Sequence, residues 1–358
     1  MTEVAAGILF RAPTGRVLFC HRTDGRGWAF PGGGKKDHET LEQCAARECY
    51  EETGYRSGHA GNFLCRRVRD GVDFTTFAYD CDGEFQPKFN HEHDAHVWIN
   101  PDYATNLNLH PGVLIALRKL KGMTELELAE AIRDEELVSP QYIENLALVA
   151  MRISGTGISY RPKLNEWVYR RDTVYLTPEF LQRCMGLPVI MDHPDTQILT
   201  SEEFARRIVG TMFLPYVRGD DVWGVARLYD RAAIQMMLED QLSTSPSVVF
   251  RDTRVNYSID LDDGEKLLIE GKPSFVDHLA ICEKGVWDKG EEPSGIRIDS
   301  SGFGNDPPAP DLPLPSGNNE PAPEQQGIPA GLIELSDGIS KFAERLDRFI
   351  TRRDLMVR

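Results

Sequence analysis

The sequence predicts a two-domain chain: an α/β sandwich over residues 1–122 and a second, β-rich domain over 150–300. Three observations predict it. Strand-like runs alternate with two helix patterns in the first third of the chain. From about 150 to 290 the pattern is mainly strands separated by turn residues. A length of 358 residues exceeds what one ordinary core organises, so two or three domains are expected.

The elements follow in order. Runs at 3–10 and 16–21 read as strands, with the turn Ala12-Pro13-Thr14-Gly15 between them. After Pro31-Gly32-Gly33-Gly34 comes a helix over about 40–53. Thr40 and Gln43 form a capping-box pattern, and Gly54 suits the C-terminal stop. Strands are expected near 61–68, 72–80 and 95–99, and a helix near 111–120. Thr124 and Glu127 make a second capping box; it opens a helix that runs toward Leu137 and stops before Pro140, within a helical connector over 123–149. In the second domain, strands are expected at 168–176, 208–214, 223–228, 247–251, 266–269 and 275–281, with helical pieces at 178–185, 201–207 and 230–240.

Residues 301–330 change character. Eight prolines between Pro307 and Pro329 mark a disordered linker. The segment 331–358 then carries Leu332, Leu335, Ile339, Phe342, Leu346 and Phe349 at alternating spacings of three and four. This is the seam of an amphipathic, coiled-coil-like helix, weakened by Gly338. Either it docks on its own domain or it brings copies together.

Composition narrows the function. The 40 Lys and Arg against 56 Asp and Glu give −16, which argues against nonspecific nucleic-acid or anionic-membrane binding. The seven cysteines include no CxxC pair, so neither a disulfide framework nor a zinc ribbon is expected. No run is long and apolar enough for a membrane span, and the N-terminus lacks a leader pattern, so a cytoplasmic location is expected.

The first chemical site lies in Gly33-x5-Glu39-x7-Arg47-Glu48-Cys49-x-Glu51-Glu52-x-Gly54-Tyr55. Glu48, Glu51 and Glu52 share one helix face, where like charges repel. A hard divalent cation with oxygen ligands, Mg²⁺ or Mn²⁺, relieves that repulsion. Arg47 neutralises part of the cluster from the side. Gly33 and Gly34 let backbone approach a metal or phosphate oxygens. Together these features point to metal-assisted hydrolysis of a phosphoanhydride.

This segment resembles the signature of the Nudix hydrolases at nine positions over 23 residues, and the resemblance covers about 3–122. It implies that Glu48, Glu51 and Glu52 are metal ligands, with Glu48 also a candidate base and Arg47 orienting the carboxylates. The carbonyl of Gly32 is a further ligand in related enzymes. Glu92, from Asn90-His91-Glu92-His93, is the candidate for an added acidic ligand, against an ordinary exposed loop residue. A zinc site at His91 and His93 is disfavoured, because no cysteines accompany them. Trp28 and Phe30 either stack a base or pack the core. The expected substrate is a nucleoside diphosphate derivative; triphosphates, ADP-ribose and dinucleoside polyphosphates all stay open.

The second chemical site gathers three segments: 188–194 with His193, 242–250 with Ser243, Ser245 and Ser247, and 274–281 with Asp277 and His278. They could supply a nucleophile, a base and an orienter. Their order resembles the phage prohead maturation proteases, related in fold to the assemblins, over about 150–290. The resemblance implies a partly closed β-barrel with flanking helices. It makes His193 the base, Ser245 the nucleophile, and His278 or Asp277 the third member. Ser243 and Ser247 are rival nucleophiles. Strand alternation puts Asp277 and His278 on opposite faces, so only one is expected to meet His193. By this resemblance the partners would be phage capsid and scaffold proteins, inside an assembling procapsid in the host cytoplasm. The rival reading makes the domain an inactive capsid- or scaffold-docking module. A further rival makes the first domain a nucleotide sensor without turnover.

Overall fold

The computed structural model describes residues 2–299 apart from 162–163, 197, 262–264, 289 and 291. The expected linker at 301–330 and helix at 331–358 lie outside the described residues. The chain divides into two compact units, with the boundary between Gln141 and Tyr142.

The first unit contains β1 (Glu3–Arg11), β2 (Val17–Arg22), β3 (Trp28–Ala29), β4 (Gly32–Gly34), α1 (Leu41–Thr53), β5 (Asn62–Arg69), β6 (Val72–Asp80), β7 (His93–Ile99), α2 (Val113–Lys121) and α3 (Glu125–Arg133). Its seven-stranded sheet runs β3-β2-β1-β6-β5, with β4 paired to β1 and β7 to β2. β1 is the central element: it runs parallel to β6 and antiparallel to β2 and β4. Its buried run Ala5–Phe10 carries the core, and α1 packs against β1 and β4. α3 turns Leu128, Ala129, Ala131 and Ile132 into the interior, so the helix expected as a connector lies inside this unit.

The second unit adds β8 (Gln141–Ile143), β9 (Leu146–Gly155), β10 (Gly157–Arg161), β11 (Glu166–Arg170), α4 (Asp172–Tyr175), α5 (Pro178–Cys184), β12 (Pro188–Met191), α6 (Ser201–Arg207), β13 (Ile208–Arg218), β14 (Asp221–Leu228), α7 (Arg231–Glu239), β15 (Ser243–Val249), β16 (Tyr257–Asp260), β17 (Lys266–Glu270), β18 (Phe275–Cys282) and β19 (Ile296–Arg297). An eight-stranded sheet runs β15-β18-β12-β13-β14-β9-β19, with β8 paired to β9. A four-stranded sheet runs β10-β11-β17-β16. The core gathers β9, β13, β14 and β18 with α5 and α7.

Three differences from the sequence expectation have physical causes. The strand expected over 168–176 ends at Arg170, because the chain turns into α4, where the Tyr175 and Leu176 N–H groups bond back to the Arg171 and Asp172 carbonyls. The strand expected at 247–251 begins earlier, at Ser243. Pro246 is tolerated there because β15 ladders only with β18. β9 was not expected as a strand at all. Its nine residues after Leu146 are all buried, so it lacks the alternation that marks a half-buried strand.

Candidate functional site

In the first unit the acidic cluster is built from α1 and the glycine strand. Thr40 accepts the Gln43 N–H and Gln43 returns the bond, while Gly54 closes the helix at φ 69°. On this helix Glu48 lies against Gly33 and Glu52 accepts the Gly32 N–H, while Glu51 is exposed and bonded to Arg47 and Lys36. Gly33 is required by that approach: a Cβ there would lie 2.7 Å from the Glu48 carboxylate. Gly32 is required by its neighbour, since its Cβ would meet the Gly7 Cα at 2.5 Å.

Arg47 organises the carboxylates. Its Nε and Nη2 donate to the two oxygens of Glu39 at 3.0 and 2.6 Å. Its Nη1 donates to Glu48 at 2.5 Å and to Glu51 at 3.3 Å, and Nη2 also reaches the Gly34 carbonyl at 2.9 Å. The bidentate bonds from Arg47 hold the Glu39 carboxyl at about 2. Sequence reading gave Glu39 no role of its own; it is the anchor of the arginine.

Glu52 is the exception in the cluster. It is 1% exposed. Its Oε2 accepts the Gly32 N–H at 2.7 Å, and its Oε1 has no hydrogen-bond partner among the described residues. Burial pushes its pKa up to about 8; Glu92 and Glu48 add to the rise. Among the described residues no group of three His, Cys, Asp or Glu side chains forms a ready metal cluster. Arg47 and Lys36 instead occupy Glu51. The residues nevertheless fit a hard cation. The donors are all oxygens, and a buried carboxyl with an orphaned oxygen is a group that a cation would ionise.

The two aromatic candidates separate. Phe30 is buried against Phe19 and belongs to the core. Trp28 is half-buried, with its ring edge to His21 at 5.1 Å. His91 is exposed. His93 is buried, with neither ring nitrogen bonded among the described residues, and burial holds it toward neutral.

In the second unit the structure brings His193, His278 and Asp277 into one chain. His193 Nδ1 lies 2.8 Å from His278 Nε2, and His278 Nδ1 lies 2.8 Å from Asp277 Oδ2. The same Asp277 oxygen accepts the Leu199 N–H at 2.9 Å. Only His278 meets His193, and a β-bulge lets Asp277 join the chain behind it. His278 stands opposite Ser247 and Val276 opposite Val248, which leaves Asp277 as the extra residue. Its carboxylate folds back onto the imidazole of the next residue. His278 is buried and His193 exposed. Burial lowers the His278 pKa, and the bond to Asp277 works against that.

The serines fall into three environments. Ser243 pairs with Cys282, away from His278 in the register. Its buried hydroxyl donates to Asp288 at 2.6 Å and accepts the Gly295 N–H at 3.0 Å. It is part of a structural clip and is not brought to the histidines. Ser247 is buried directly opposite His278. Ser245, one pair along on the same strand face and opposite Ala280, is half-buried.

Comparison with known proteins bears on the first unit. A NUDIX domain model matches residues 1–118. A protein of Mycobacterium tuberculosis described as putative 8-oxo-dGTP diphosphatase 3 is 33% identical over 133 residues, 33% of this chain and 61% of that protein. An RNA pyrophosphohydrolase of Pseudomonas aeruginosa is 38% identical over 61 residues, 17% of this chain and 38% of that enzyme. The chain thus spans under two thirds of the length of these curated relatives. A solved Nudix hydrolase of M. smegmatis, RenU, is 30% identical, covering 34% of this chain and 84% of that one at a TM-score of 0.30. The glycine strand, the capped helix and the Arg47-bound carboxylates lie within the matched span, and residues 1–118 are a Nudix domain.

Proposed function

We propose that the first unit is a divalent-metal-dependent hydrolase that cuts the pyrophosphate linkage of a nucleoside diphosphate derivative. The observation that carries this reading is Glu52, a buried carboxyl on the acidic helix with one oxygen left unbonded among the described residues. Glu48, Glu51 and Glu52, with Glu92 and the Gly32 carbonyl, would hold Mg²⁺ or Mn²⁺. When bound, such an ion lowers the pKa of an attacking water and neutralises charge on the leaving phosphate. Arg47 keeps the Glu48 and Glu51 carboxylates aimed, and Glu48 is the candidate to take the water's proton. Gly33 and Gly34 give phosphate oxygens access to backbone, and Trp28 offers a half-buried ring to a base. The relatives' names point to 8-oxo-dGTP and to RNA as first substrates. The charge of −16 favours the small nucleotide over the polymer. The test is hydrolysis of 8-oxo-dGTP, dGTP, ADP-ribose and a 5′-triphosphate RNA with Mg²⁺, wild type beside Glu51→Gln. Equal rates in the two proteins would sink the metal assignment; binding without turnover by the wild type would favour the sensor reading.

A second reading concerns the second unit, and the His193–His278–Asp277 chain favours it. We propose a serine endopeptidase in which the Ser245 hydroxyl attacks a peptide carbonyl and His193 takes its proton. His278, backed by Asp277, would fix the His193 tautomer. Ser245 is preferred to Ser247 because it is less buried. Capsid or scaffold proteins as substrates rest on the sequence resemblance alone. A mass-spectrometric time course of the full chain, with Ser245→Ala and Ser247→Ala alongside, tests it. Fragments lost only in Ser245→Ala support this assignment, and loss only in Ser247→Ala moves the nucleophile. An intact wild type in the presence of a scaffold-type substrate favours the docking module.

A further inference from the structure

The four-stranded sheet of the second unit has two unlike faces. Register and alternation put Val168, Arg170 and Glu270 on one side, and all three are buried. Arg170 donates to Glu270 at 2.5 Å and lies over the rings of Tyr175 and Trp287. The other side carries Ile158 and Tyr160 from β10, Trp167 and Tyr169 from β11, Leu267 and Ile269 from β17, and Tyr257 and Ile259 from β16. None of these eight is buried. Ile158 and Tyr257, on the two edge strands, stay 63% and 67% exposed. Eight large apolar or aromatic side chains on adjoining strands make a contiguous patch, unlike the scattered apolar residues normal on a surface. Polar tips ring it: the Tyr160 hydroxyl donates to Asn165 at 2.7 Å, and Trp167 Nε1 donates to Glu265. An apolar centre with a polar rim is the make-up of a docking surface.

We propose that this face is the docking site of the chain's own C-terminal segment, residues 331–358. The apolar seam of that segment, Leu332 to Phe349, would span ~26 Å as a helix. Three strand spacings of ~4.8 Å and strands of four or five residues give a face of ~14 by ~17 Å, with a diagonal of ~22 Å. The seam and the face therefore match in length. The described chain ends just after β19, which pairs with β9 in the same unit. About 30 residues then separate it from the seam. A chain of that length spans ~30 Å as a random coil and at most ~90 Å as the polyproline II that its eight prolines favour, so the seam can reach the face in either regime. Tethering raises the local concentration of the seam above that of a free partner, which favours a modest apolar contact.

Hydrogen–deuterium exchange on the full chain tests this, comparing wild type with the double variant Phe342→Asp and Leu346→Asp. Both substitutions lie outside the described residues, and unchanged exchange in the buried strands β9 and β14 of the same unit serves as the folding control. Edge strands β10 and β16 are the reporters, since their outer amides open most easily. The expected result is exchange about tenfold faster at 157–161 and 257–260 in the variant, with a rise in binding of an apolar dye. Tyr257→Asp on the face should speed exchange in 339–349 to match. Light scattering at two concentrations completes the test. Unchanged exchange in both variants overturns the proposal, whether the face is bare or covered by something else. Tail-dependent protection that disappears on dilution, with the mass of two chains, overturns it in favour of a second copy.

Discussion

Two buried carboxyls, one in each unit, show how position decides between structure and chemistry. Glu52 and Glu270 are each 1% exposed. Glu270 receives Arg161 and Arg170 as well as the Tyr175 hydroxyl. Burial alone would raise its pKa, but the two guanidiniums overcome that and hold it at about 2. Glu52 receives one backbone N–H, and burial lifts it to about 8. The paired carboxylate fastens the four-stranded sheet to the core around Tyr175 and Trp287. The under-paired one is a cost in the isolated fold, and such a cost is kept where a ligand repays it.

The largest effect on stability is expected at the paired site. Glu270→Gln leaves Arg170 buried without its counter-charge, and should cost about 3–5 kcal/mol, read as a fall in the second unit's unfolding midpoint. A loss under about 1 kcal/mol would mean that water or another acid compensates the arginines. Glu52→Gln should do the reverse. Hydrolysis should drop by about 100-fold or more while stability without metal is held or improved, because the amide has no charge to desolvate. A variant that loses activity and stability together would point to a structural role for Glu52.

The same pair predicts opposite responses to pH. Glu270 has a folded pKa below its unfolded value, so its contribution is present above about 4.5 and is lost as pH falls toward 2. Glu52 has a folded pKa above its unfolded value. Its contribution is complete below about 4.5 and disappears as pH rises through about 8. With chelator present, the first unit of the wild type should lose stability relative to Glu52→Gln as pH is raised from 5 to 9. Added Mg²⁺ should close that gap. A gap that is flat with pH would show that Glu52 does not titrate in this range.

The two sites also differ in how far sequence alone discloses them. The first is local: Arg47, Glu48, Glu51 and Glu52 fall within two turns of one helix, so the 3.6-residue period brings them together before any tertiary contact is known. What stayed hidden there was tertiary. Gly33 is needed because Glu48 lies against it, and Glu39 matters because Arg47 reaches across to it. The second site depends on strand register. His193 and His278 could be singled out, yet their contact spans 85 positions. The bond between Asp277 and His278 comes from a β-bulge, which simple alternation does not contain. Glu270, 100 positions from Arg170, carried no local signal at all.

The smallest predicted effect probes the boundary between these cases. Arg47→Lys keeps the charge but loses the fork that holds both Glu39 oxygens while reaching Glu48 and Glu51. The helix, its capping box and the Gly54 stop do not depend on Arg47, so the melting temperature should move little. Aim is what should suffer: Glu48 and Glu51 would sample more rotamers, and hydrolysis should fall about tenfold with weaker dependence on which nucleotide is offered. Gly33→Ala should give a loss of similar size by a different route, since its methyl would displace the Glu48 carboxylate while leaving Arg47 in place. Combining the two separates positioning from simple crowding. If both act through the aim of Glu48, the double variant should lose much less than the product of the single losses, as expected for residues that share a partner. A fully multiplicative loss would mean that Arg47 serves the reaction through Glu51 or the substrate phosphate instead.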